Sequence, residues 1–132
     1  MTTSKKPQWK KRVELTQFFY ACLMKKLNKP DLVQKEIERF SFNKQQKKVI
    51  KYFGQNCLTI KQLVKKLLKE GWPLARIPVV TQAILFTAYC ENKALGLAKA
   101  IAIDQALVSC NHYGQEQHKK FINAILDKLL DK

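Results

Sequence analysis

The sequence predicts an all-α domain, and three observations carry that expectation. Apolar residues recur at i, i+3 and i+4 through most of the 132 residues. Only four Gly and four Pro are present, too little turn chemistry for the many tight connections of an all-β fold. The hydrophobic fraction, 46%, with 10% aromatics, supports a packed core and excludes a disordered chain.

Residues 1–9, MTTSKKPQW, lack periodicity and carry Lys5 and Lys6, so a mobile basic arm is expected there. The first helix is expected over 10–27, with Leu15, Phe18, Phe19, Cys22, Leu23 and Leu27 inward and lysines at both ends. Pro30 suits the first turn of a short second helix that buries Leu32, Val33, Ile37 and Phe40 and ends near Ser41. Asn43 followed by Gln46 reads as a variant capping box opening a long third helix, in which Gly54 is a candidate bend. The run Glu70-Gly71-Trp72-Pro73 ends that helix, because Gly accepts a left-handed cap and Pro cannot continue the ladder. Residues 79–91 are apolar on nearly every face, which predicts a central helix, and Gly96 separates them from a second buried helix over 97–108. A turn at 111–114 precedes a final helix from about Gln115 to Leu130.

Lys and Arg number 25 against 10 acids, a formal charge of +15, which points to a polyanionic partner. The charge is uneven: residues 1–70 hold 18 basic and 5 acidic side chains, net +13, and residues 71–132 hold 7 and 5, net +2. Lys10, Lys11 and Arg12, beside Lys5 and Lys6, are the strongest cluster, because phosphate attraction needs grouped cations and gains from a flexible arm. A membrane-surface helix is disfavoured, since apolar stripes occur on all the helices, as a closed core requires. The longest uncharged stretch, Ile77 to Cys90, is too short for a membrane span, and no cleavable leader is evident. The four cysteines are widely spaced on apolar helical stripes, so they are expected buried and reduced in a cytoplasmic protein, without a metal. No phosphate loop, metal motif or activated nucleophile is present, so no enzyme and no cofactor are expected. Glu91 and Asp104, acids within apolar helices, read as structural hydrogen-bonding partners.

The segment Gly114 to Lys128, GQEQHKKFINAILDK, resembles the signature of the NusB family of transcription antitermination factors, a glycine turn followed by a K-F-V/I-N-G/A-V/I-L-D-K helix. Trp72 to Glu91, WPLARIPVVTQAILFTAYCE, is similar to the family's tryptophan and I-L-R-x-A-x-Y-E run. Ala102 to Ala106 falls on its A-I-N-E-A, and Gln17-Phe18-Phe19-Tyr20 on its Q-A-L-Y. The resemblance spans about Lys10 to Lys128 and is thinnest between Asn28 and Lys69.

It implies a NusB-like single domain over 10–132, of about six to seven helices in two packed bundles. It also implies a non-enzymatic role: binding boxA-like single-stranded RNA of ribosomal RNA leaders together with the ribosomal protein NusE, and through that complex acting on RNA polymerase. The family's basic first turn falls on Lys10, Lys11 and Arg12, and its K-F-x-N on Lys120, Phe121 and Asn123, with Lys119 adjacent. Lysine largely replaces the family's arginines, which keeps charge and loses the bidentate fork. Phe121 lies at helical spacing from Ile125 and Leu129, so base stacking and a core role both stay open. Tyr20 is the candidate contact to the protein partner, with burial in the core as its alternative. A competing function is a protein interaction module that uses the same basic face on acidic protein surfaces and has no RNA role.

Overall fold

The computed structural model describes residues 8–27, 29–68 and 74–130. Among them lie six α-helices: α1 (Gln8–Met24), α2 (Pro30–Ile37), α3 (Lys44–Leu67), α4 (Val79–Leu95), α5 (Lys99–His112) and α6 (Lys119–Leu129). Short 3-10 turns at Leu74–Arg76 and Glu116–His118 precede α4 and α6.

α1 begins two residues before the expected start and buries Leu15, Phe18, Phe19 and Cys22 on one stripe. It stops in a left-handed residue, Lys26 at φ 58°, with the Leu27 N–H donating to the Cys22 carbonyl and the Lys26 N–H to the Leu23 carbonyl. This is a Schellman cap with lysine where glycine is usual. Pro30 occupies the first turn of α2, and Lys25 Nζ, 2.8 Å from Glu36, ties that helix to the end of α1. Val33 and Ile37 are buried as expected, whereas Leu32 and Phe40 are exposed. Phe40 still meets Phe18 edge-on and stacks on buried Phe42 at the rim of the core.

The Asn43–Gln46 capping box is present in both directions. Gly54 does not break α3, which runs without interruption to Leu67. A Cβ there would lie 3.4 Å from both Pro30 Cα and Val33 Cβ, so the missing side chain lets α2 approach closely. The residues expected to end α3, 70–73, lie outside the described residues.

α4 is buried from Thr81 to Asn92 and packs against α1, α3, α5 and α6, the central position that its apolar composition predicts. The first three helices and the last three form two bundles that meet on it. α5 is only half buried: Ala102, Ala106, Ser109 and Cys110 face inward, while Ile101 and Val108 are about 50% exposed. It runs to His112, past the expected turn at 111, and ends at Gly114 (φ 67°), where the Gln115 N–H reaches the Cys110 carbonyl. α6 starts at Lys119, after the 3-10 turn, with Ile122, Ile125 and Leu126 in the core. All four cysteines are buried and unbridged.

Candidate nucleic-acid interface

The first turns of α1 project Trp9 and Lys10 into solvent and leave Lys11 half-buried. Arg12 turns the other way. Its Nε donates to Glu91 Oε1 at 2.8 Å and its Nη1 to Gln105 Oε1 at 2.9 Å, and its side chain is 11% exposed. The expectation that Arg12 holds phosphates is thereby corrected: the guanidinium is committed to a carboxylate on α4 and an amide on α5. Burial pushes the Glu91 carboxyl above its ordinary range, and the bond and charge of Arg12 oppose that rise. Glu91 is a structural hydrogen-bonding partner as read from sequence; Asp104, its fellow candidate, is exposed. Neither periodicity nor charge runs could reveal this three-helix pairing, because its members lie 79 and 93 residues apart.

At the start of α6, Lys120 and Asn123 are exposed and share one face at i, i+3. Lys119 is half-buried, and Phe121 is half-buried against the core cluster. Phe121 thus packs partly in the core and stays partly exposed. Tyr20 is 41% exposed, so its alternative as a core residue is set aside. Lys5 and Lys6 lie outside the described residues.

The α1 and α6 clusters do not converge in a pocket. Arg12 meets α4 at Glu91, whereas the turn before α6 meets it at Thr81, whose hydroxyl bonds Gln115. Ten helical residues separate these two points, about 15 Å. Tyr113 bridges part of the gap, its hydroxyl donating to the Val13 carbonyl at 3.4 Å. The two clusters are therefore separate surface patches rather than the walls of one cleft.

The thiols offer no reactive nucleophile at neutral pH. Burial raises all four, Cys22 to about 12. Among the described residues no three His, Cys, Asp or Glu side chains group so as to hold a metal, and no helix is long and apolar enough to cross a membrane.

Two all-helical bundles joined on one buried helix, with separated basic clusters on the outside, define an all-α domain with a basic surface. The chain belongs to the NusB family, whose pattern matches residues 10–131. It is 26% identical over 144 residues to a Mycoplasma pneumoniae protein described as an uncharacterized MG027 homolog, covering 98% of this chain and 86% of that one. It is 31% identical over 80 residues to the transcription antitermination protein NusB of Bacillus mycoides, covering 60% of this chain and 61% of the relative. Among solved structures it superposes on a Mycoplasma genitalium protein described as structurally homologous to NusB proteins, with TM-score 0.79, 25% identity and coverage of 95% and 100%. Thermotoga maritima NusB gives 0.76 with 26% identity, covering 96% and 92%.

Proposed function

We propose that this chain is a cytoplasmic, non-enzymatic RNA-binding factor of the NusB type, which holds boxA-like single-stranded RNA together with NusE during ribosomal RNA transcription. The observation that carries this reading is the family match over residues 10–131, which takes in both exposed basic positions, Lys10 and Lys120. Lys10 and Lys11 bind phosphates, with Lys5 and Lys6 as further candidates before them. Lys119, Lys120, Phe121 and Asn123 form the second contact, where an exposed amide and a partly exposed ring can meet a base. Tyr20, exposed on α1, is the proposed contact for the protein partner.

The test is affinity for boxA-like single-stranded RNA, with and without NusE, at several salt concentrations. A steep linear fall of log affinity with log salt, and tighter binding in the presence of NusE, support the proposal. Retained binding to an acidic protein with no measurable RNA affinity sinks it and leaves the interaction module in its place.

A further inference from the structure

We propose that the outward face of α3 is a second phosphate track, along which single-stranded RNA continues from the α1 end of the molecule; the proposal rests on the RNA-binding reading above. α3 holds seven lysines and no acid in its 24 residues, a length of about 36 Å. Lys44, Lys48, Lys51 and Lys66 are exposed on the side opposite the buried Ile50, Phe53 and Cys57, with Lys47 and Lys65 beside them. Among the described residues none of Lys44, Lys47, Lys48 and Lys51 is in an ion pair.

This pattern works against the helix that bears it. Lys44 and Lys48, Lys47 and Lys51, and Lys61 and Lys65 are like charges at i, i+4, which repel. Lys44 and Lys47 also occupy the first turn, where the helix dipole disfavours cations. A solvated face kept only for solubility would intersperse acids, as the α2 segment does with exposed Asp31, Lys35 and Glu38. Local choices that oppose local stability mark functional surfaces, and an anion along the stripe removes both penalties together.

The track begins at the end of α3 that packs beside the proposed RNA contact. Gln46 Nε2 donates to the Lys11 carbonyl and to Glu14 Oε1, which seats the start of α3 against the first turns of α1. Lys44 and Lys47 thus stand at the end of α3 that lies against the first turns of α1. Helical neighbours at i, i+3 and i+4 stand about 5–6 Å apart, a spacing suited to successive phosphates of an extended strand. Lysine is a point charge without the planar fork that reads base edges, so the track holds RNA of any sequence.

The experiment compares a short boxA-like RNA with the same RNA extended by uridines at its 5′ or 3′ end, using wild type and a variant with Lys44, Lys47, Lys48 and Lys51 all changed to Gln. For wild type, one extension tightens binding and steepens the salt dependence. The variant loses that gain, with the slope reduced by about 0.7 per missing contact, while its melting temperature rises with the relief of the repulsion and its affinity for the short RNA stays unchanged. An equal gain in the variant overturns the track and leaves the RNA-binding reading intact. Failure of wild type to bind either RNA overturns both. Displacement of the extension by polyglutamate as effective as that by polyuridine assigns the face to acidic protein and overturns the track as an RNA site.

Discussion

Arg12 and Glu91 are joined at 2.8 Å although 79 residues separate them in the chain, and with Gln105 they pin α1 to α4 and α5 in a nearly closed environment. Strong as such a contact is once formed, both charges lost hydration to make it. Glu91→Leu leaves the guanidinium with neither its counter-charge nor the acceptor on α4 and is expected to cost about 3 kcal/mol. The double change Arg12→Met with Glu91→Leu should cost far less, since neither charge is then buried. Denaturant titrations of wild type, Arg12→Met, Glu91→Leu and the double variant form the cycle that checks this.

The same carboxylate predicts a pH dependence. Burial, the larger influence, holds the folded-state value of Glu91 above its unfolded one. Between those two values the folded protein keeps a proton that the unfolded chain has released, so the Glu91 contribution to stability falls as pH rises through that window. Above the raised value it is level. Melting temperature against pH for Glu91→Gln should lack this step; an identical profile in the two proteins defeats the assignment.

Lys26 sits at φ 58° in the cap of α1, a conformation that costs an L-residue about 1 kcal/mol and glycine almost nothing. Lys26→Gly is expected to stabilise the fold by up to about 1 kcal/mol, which thermal melts can resolve. No gain would mean that the lysine side chain supplies a compensating contact.

On RNA, Lys10→Gln with Lys11→Gln should weaken all single strands alike and flatten the salt slope by about 0.7 per lost phosphate contact. Asn123→Ala should alter sequence preference and leave the slope unchanged. Phe121→Ala should lower stability as well as affinity, because its ring is half in the core; full core truncations cost about 3–5 kcal/mol, and a smaller loss is expected here. Melts without RNA and titrations with it separate the two effects.

The thiols of Cys22 and Cys90, both fully buried, should react with an alkylating reagent only when the protein opens. Labelling under native conditions should therefore be slow and should accelerate in denaturant; fast native labelling of either would contradict their burial.

What this sequence determined by itself was everything that depends on near neighbours. Helical periodicity marks the inward stripe of α1, the all-round burial of α4 and the apolar side of α6, because burial of a helix face is written at i, i+3 and i+4. The Asn43–Gln46 box and the Pro30 turn were legible for the same reason, each being closed within one turn. The basic clusters were countable too, since charge is a property of composition. Tertiary structure decided the rest. Whether a cation faces water or a carboxylate depends on another helix: Lys10 is exposed while Arg12, two residues on, is spent on Glu91. Gly54, read locally as a bend, lies where α2 approaches closely, and α3 continues through it. Ile101 and Val108 are apolar and exposed, because the core is filled from the other side of α5. These outcomes turn on which surfaces meet, and side chains far apart in the chain compete for the same partner only after the helices have packed.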